Sequence, residues 1–294
     1  MPSRLDDLDW DTLVERIRLK KCTPFIGAGA CTGILPLASQ IARQWAEKHG
    51  YPLADCTDLA RVSQFLTIVR EDDMLVKEEI CRQFASVDPP NFLPDEPHGL
   101  LADLHLPIYI TTNYDNFMFK ALKSRERDPK LELCRWNSFV KKEVPSIFDS
   151  KYSPSQASPL VYHLHGHVDV PQSIVLTEDD YLDSLVRSST DQDLLPACIR
   201  TALVGTSLLF LGYSLSDWNF RVLFRSLISS LGASLKMKSV AVQLPPSSLP
   251  DSSESGLERA KAYLNRYFSK IQQINLSVYW GDVKDFAQEL RKKM

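Results

Sequence analysis

The chain has 294 residues and a mass of 33.3 kDa, with 44% hydrophobic, 24% charged and 10% aromatic residues and a formal charge of -3. That balance excludes intrinsic disorder, collagen-like repeats and coiled coil as the main state. It is also unlike a chain built to coat nucleic acid, so no direct nucleic-acid binding is expected.

The length suits one large α/β domain with insertions, or two small domains. The six cysteines, Cys22, Cys31, Cys56, Cys81, Cys134 and Cys198, are scattered, with no CxxC pair. A zinc ribbon therefore lacks ligands, and a disulfide framework is not expected. The polar, acidic start (Met1 to Asp7) does not read as a signal peptide. The longest apolar runs, around 207–211 and 239–244, are strand-sized and too short for a membrane span. A soluble, cytoplasmic protein without membrane contact is expected.

In chain order, the spacing of Leu13 and Ile17 predicts a helix from Leu5 to Lys21. A short buried strand, Thr23 to Gly27, runs into the turn Gly27-Ala-Gly-Ala-Cys31, and a helix from about Leu37 to His49 follows, ended by Gly50. Asp58 to Ala85 reads as helical throughout, and a short helix over His98 to Leu104 leads to a second strand, Pro107 to Ile110. So much chain between two strands exceeds a simple βαβ crossover. The stretch of about 35–98 is read as a helical insertion subdomain on a single domain spanning 1–294.

Beyond Ile110 the pattern is strand, polar turn, helix. Strands are predicted at Leu131–Trp136, Leu160–Leu164, Ile174–Leu176, Ser207–Leu211, Val240–Leu244 and Ile274–Tyr279. Helices are predicted at Asn116–Lys123, Tyr181–Val186, Leu194–Val204, Asp217–Leu231, Leu257–Phe268 and Asp282–Lys293, with Thr177-Glu-Asp-Asp180 a good helix start. Ser150–Pro159 and Pro245–Gly256 read as loops, the latter mobile. This alternation implies a Rossmann-like, open, mostly parallel α/β sheet with helices on both faces.

In such a sheet ligands bind beyond the carboxyl ends of the strands. Four polar turns lie there: Gly27–Cys31, Thr111–Asp115, His163–Asp169 and Gly212–Asp217. The glycine turn would let backbone approach a pyrophosphate, with amides of the turn and the next helix as donors, or it is simply a tight turn. Asn113 could bond a sugar hydroxyl or a water and Asp115 a carboxamide N–H, or both cap the helix beginning near Asn116. His163 and His165 would share a strand face and could pair on a metal, but no third ligand is spaced to join them. A single histidine acting as base is the stronger reading, and His165, leaving the strand before Gly166, is best placed. Ser214 could bond phosphate or ribose, and Asp217 could cap the next helix.

These segments together resemble the sirtuin superfamily, in its sirtuin-like branch of bacterial antiphage defence proteins. GAGA at 27–30, TTNYD at 111–115, LHG at 164–166, TEDDY at 177–181 and LGYSLSD at 211–217 occur in the family's order across roughly 20–285. The resemblance implies that Asn113 and His165 are the catalytic pair. It implies that Gly27, Ala28, Gly29, Cys31, Asp115, Gly212 and Ser214 line an NAD pocket, with Gln243 and Trp280 candidates for its adenosine end. NAD enters as substrate, and no metal is expected.

Two departures stand out. Position 31 is Cys where the family usually has Ser, and the zinc-binding module of deacylating sirtuins is missing, since only Cys198 lies between His165 and Gly212. The second departure argues against deacylation and for water as acceptor. The expected activity is NAD hydrolysis to nicotinamide and ADP-ribose; the alternative is an NAD- or ADP-ribose-binding regulatory subunit with little turnover. The resemblance also implies NAD depletion during phage infection and a homo-oligomer. Its expected partner is a HerA-like DNA-translocating ATPase, with an Argonaute-like protein as the second choice.

Overall fold

The computed structural model describes residues 5–191, 193–214, 221–222, 224–225, 235–245, 253–272 and 274–294. Its frame is a seven-stranded sheet made of β1 (Cys22–Ile26), β2 (Ile108–Thr111), β3 (Lys130–Leu133), β4 (Leu160–His163), β5 (Ser207–Leu211), β6 (Leu235–Gln243) and β7 (Ile274–Trp280). The strand order is β3-β4-β2-β1-β5-β6-β7 and every pairing is parallel. The central strands β1, β2, β4 and β5 are buried along their whole length, which is why their sequences are apolar runs and not alternations.

Alternate residues feed opposite faces. Ile26, Tyr109, Val161, Leu209 and Val242 join a core with α1 (Asp7–Arg18), α5 (Pro97–Asp103), α6 (Phe117–Lys123) and the C-terminal helix Val283–Lys293. Phe25, Ile110, Tyr162, Phe210 and Ala241 join the other core, with Ile199 and Leu203 of Ala197–Gly205 and Phe268 of Glu254–Gln272. The chain leaves β1 for β2 on one side and returns to β5 on the other. The crevice of such a switch point therefore opens above the carboxyl ends of β1, β2 and β5.

Between β1 and β2 stand α2 (Ala38–His49), α3 (Leu59–Arg70) and α4 (Asp73–Ala85), before α5. Their cluster, built on Ile41, Trp45, Val62, Leu66, Val76 and Ile80, also takes in Ile174 and Leu176. The predicted unbroken helix from Asp58 to Ala85 is two helices. Glu71 takes a left-handed φ of 52°, and Asp72 caps α4 through the amides of Met74 and Leu75.

The strand expected at Ile174–Leu176 is absent: this segment pairs with no strand, Ile174 and Leu176 pack on the helices between β1 and β2, and Val175 joins the second core of the sheet. β6 begins five residues earlier than expected, and Ser138–Glu143 forms a short α7 that the sequence did not announce. The predicted helix Asp217–Leu231 falls mostly, and the predicted mobile loop Pro245–Gly256 partly, outside the described residues. The helix after that loop already begins at Glu254. Among the described residues no helix is long and apolar enough to cross a membrane.

One buried ion pair ties α4 to the site side of the sheet. Lys77 Nζ lies 2.7 Å from Asp180 Oδ1. The other oxygen, Asp180 Oδ2, accepts the amides of Leu176 and Thr177 at 3.0 Å, and Thr177 caps α8 (Glu178–Thr190) in return. Removing one partner of such a pair leaves an uncompensated buried charge. Asp180→Ala is expected to lose about 3–5 kcal/mol of stability, seen in urea titrations as a lower midpoint with little change in slope.

Candidate active site

The site is built from the turns that leave β1, β2, β4 and β5. After β1, Ala28–Cys31 forms a single 3-10 turn, and α2 starts only at Ala38. This turn rests on the turn after β5. Gly27 N donates to Leu211 O at 2.8 Å and Gly29 N to Gly212 O at 2.9 Å. Gly212 has a φ of 76°, and a Cβ on it would sit 2.3 Å from Ala30 N; a Cβ on Gly27 would sit 2.8 Å from Gly212 O. These glycines allow backbone to touch backbone. Two amides expected to face a pyrophosphate are engaged within the protein, Gly29 N as above and Ala30 N with Gly27 O at 3.0 Å.

After β2, Asn113 and Asp115 part company. The Asn113 side chain does not cap a helix. Its Nδ2 donates to Gly27 O at 3.2 Å and to Cys31 Sγ at 3.4 Å. Asp115 divides its oxygens: Oδ1 accepts Phe117 N at 2.9 Å at the start of α6, and Oδ2 accepts the Cys31 thiol at 3.5 Å. Burial, then the Asp115 carboxylate, push that thiol well above its ordinary pKa.

After β4, the histidines do not divide as the strand spacing implied. His163 stays beneath the site, its Nδ1 on Asn113 O at 3.0 Å and its ring 4.8 Å from that of His167. His165 turns the other way, against Tyr181 with ring centroids 5.3 Å apart. His163 and His165 therefore do not form a metal pair. Gly166, with a φ of 91°, lets the chain pass under Ser173, whose carbonyl oxygen would lie 2.3 Å from a Cβ. His165 Nε2 is buried with no hydrogen-bond partner among the described residues. Burial lowers the His165 pKa to about 4 and that of His163 to about 3, the latter with help from His167. Both rings are therefore neutral near pH 7.

One cavity of about 1280 Å³ is lined by Ala28, Gly29, Cys31, Asn113, Asp115, His165, Gly212 and Ser214. Of the residues that the resemblance assigned to the catalytic pair and the NAD pocket, only Gly27 and Trp280 are missing from this wall. Gly27 lies under it, where it makes room for Gly212. Gln243 also reaches the cavity, with its Nε2 on Tyr213 O at 2.7 Å. Trp280 does not: it is buried in the second core and lies outside the lining, so it is removed from the adenosine end.

Sequence reasoning missed His98 and Glu96 at the entry to α5. Glu96 Oε2 accepts Gly99 N at 2.8 Å, and Oε1 holds His98 Nδ1 at 2.7 Å, which points His98 Nε2 at Cys31 Sγ, 3.9 Å away. Burial works against the Glu96 carboxylate, yet the bonds from His98 and Gly99 prevail and hold its pKa down. The signal was present in the sequence as Glu96-Pro-His-Gly, an acidic cap with proline at the first helical position.

The buried histidines set a pH dependence. Both titrate below the ordinary 6.5 in the folded chain, so the unfolded chain binds more protons and stability rises with pH in that interval. Full stability is expected above about pH 6.5, falling on acidification through about pH 4. Denaturant midpoints measured across that range check this, and His165→Gln is expected to flatten the slope by about one proton.

The SIR2-like domain family matches residues 107–269, more than half of the chain. Among curated proteins, the chain is similar to the NAD(+) hydrolase ThsA of Enterococcus faecium, 30% identical over 127 residues, which are 42% of this chain and 23% of that one. It is 33% identical over 124 residues to the NAD(+) hydrolase ThsA of Bacillus cereus (strain MSX-D12), with the same 42% and 23% shares. The chain thus matches about a quarter of the length of these relatives. The turns at Thr111–Asp115, His163–Asp169 and after β5 all fall inside the matched span, and the chain belongs to the SIR2-like domain family.

Proposed function

We propose that this chain hydrolyses NAD at the nicotinamide–ribose bond, giving nicotinamide and ADP-ribose. The observation that carries the reading is the meeting of Asn113 and His165, from the ends of two different strands, in one cavity whose wall includes the glycine turn. The names of the two similar hydrolases support the same substrate.

Loss of nicotinamide leaves a ribose with oxocarbenium character, which a site stabilises with negative charge and little bulk water. The described lining fits that demand. It carries Asp55, Asp58, Asp95, Glu96, Asp115 and Asp282 against a single basic residue, Lys284. Nicotinamide sits near Asp115, and the Asn113 amide positions the ribose hydroxyls or the attacking water. Lys284 and Ser214 stand on the wall where a pyrophosphate needs donors, since Gly29 N and Ala30 N are taken.

His165 acts as the base. A ring with a pKa of about 4 is a weak one. It is sufficient if the proton moves late, because water that has bonded to an oxocarbenium carbon is strongly acidic. Deacylation finds no support: the only cysteine between His165 and Gly212 is Cys198. In the cell, we propose, the chain depletes NAD during phage infection when it is activated through assembly with a partner, a HerA-like DNA-translocating ATPase. The order of the motifs supports this role.

The purified chain, incubated with NAD and followed by chromatography, is expected to release nicotinamide and ADP-ribose. Asn113→Ala and His165→Ala are each expected to lower the rate by about 10²–10⁴-fold. Equal rates for wild type and both variants would overturn the assignment. The kcat profile is expected to be flat above about pH 6 and to fall toward pH 4, where His165 gains its proton.

A further inference from the structure

Cys31, His98 and Asp115 come from three separate segments: the turn after β1, the first turn of α5 and the turn after β2. All three are buried, and their ligand-capable atoms lie within 4.8 Å of one another. We propose that these residues form a zinc site in the wall of the cavity, with water or an entering ligand as fourth donor.

The distances suit the ion. Tetrahedral zinc with arms of about 2.0–2.3 Å separates its ligand atoms by roughly 3.5 Å. Cys31 Sγ lies 3.5 Å from Asp115 Oδ2 and 3.9 Å from His98 Nε2. The surrounding bonds suit it as well. Glu96 holds Nδ1 of His98 and leaves Nε2 to face the thiol, the carboxylate–histidine arrangement that orients a metal ligand. Phe117 N occupies Asp115 Oδ1 and leaves Oδ2 on the cluster. Asn113 Nδ2 donates to Sγ, as an N–H donor beside a metal-bound thiolate does.

Charge points the same way. Sγ and the Asp115 carboxylate share one buried corner, so a thiolate there would set two negative charges side by side. One divalent cation cancels both charges: zinc binds, the Cys31 proton leaves to solvent, and the neutral imidazole adds no charge. The six carboxylates of the lining, facing one lysine, favour entry of a cation. Thiolate, imidazole and carboxylate together select zinc over magnesium or calcium.

Occupancy has a consequence that rests on the proposed hydrolysis. Asp115 and Asn113 would be committed to the ion and its sulfur, so zinc would exclude nicotinamide, and the ion would act as an inhibitor.

Chelator-treated protein is expected to bind one Zn²⁺ in calorimetry and, with Co²⁺ alone, to develop a thiolate-to-cobalt charge-transfer band in the near ultraviolet. Cys31→Ser is expected to abolish the band and His98→Gln to weaken binding by more than about 100-fold, while Glu96→Gln costs about 10–100-fold. Thermal unfolding of each variant confirms that it folds; should Cys31→Ser fail to fold, His98→Gln carries the test. Absence of the band in wild type, or an undiminished band in folded Cys31→Ser or undiminished affinity in folded His98→Gln, would overturn the site. These readouts contain no NAD, so they stand apart from the hydrolysis assay. Inhibition of hydrolysis by Zn²⁺, relieved by chelator, then tests the consequence.

Discussion

Everything at the site depends on backbone meeting backbone where the turns after β1 and β5 cross. The two strands run in register from Cys22↔Ser207 to Ile26↔Leu211, so their turns leave the sheet at the same level and collide unless both lack side chains. Gly27, Gly29 and Gly212 resolve that collision, and two hydrogen bonds lock it. The glycines are therefore explained first by packing. The stacked turns place Cys31 at the bottom of the cavity and bring Gly27 O within reach of Asn113. A side chain at any of these glycines would disturb the Asn113 amide through the backbone without touching a ligand.

Three carboxylates follow a second constraint, since each gives one oxygen to the start of a helix and the other to a neighbouring side chain. Asp115 starts α6 with one oxygen and faces Cys31 with the other. Asp180 caps α8 and neutralises Lys77. Glu96 starts α5 and fixes His98. In each case helix capping, usually the competing explanation for an acidic residue near a functional motif, is half of the answer. The histidines add no positive charge, because burial keeps His163 and His165 neutral. The described wall is thus acidic, an environment for a cationic ring or a metal ion more than for a bare phosphate.

The sheet was legible because its central strands are buried on both faces, which leaves short apolar runs bounded by turns. Ile174–Leu176 has the same composition for another reason: Ile174 and Leu176 are buried by neighbouring helices and Val175 by the second core, without strand pairing, and composition cannot tell one burial from the other. The four site turns could be placed from the rule that ligands gather at strand ends, which needs only the strand boundaries. The histidine pairing failed because the alternation of a strand holds only while the strand lasts. β4 ends at His163, so His165 already lies beyond the strand, and the left-handed Gly166 turns the chain again before His167; periodicity governs neither. Glu96-Pro-His-Gly marks only a helix start in the sequence; the approach of His98 to Cys31 and Asp115, 67 and 17 residues away, is created by folding and not contained in local spacing.

Cysteine at position 31 changes how firmly Asn113 is held. A serine hydroxyl would offer the amide a compact, strong acceptor, whereas sulfur accepts weakly and at longer range. The Asn113 amide rests on Sγ at 3.4 Å, a weak acceptor, and on Gly27 O at 3.2 Å, at the far end of the N–H···O range. Each contributes little, so turning the amide toward a ribose hydroxyl or a water costs little. The backbone of Asn113 is fixed by contrast: its amide donates to Thr111 Oγ1 at 3.0 Å and its carbonyl accepts from His163. Under the proposed hydrolysis, a fixed main chain bearing a loosely held amide suits a donor to a sugar that changes from planar cation to tetrahedral product, because the amide can follow the reacting carbon while its anchor stays put.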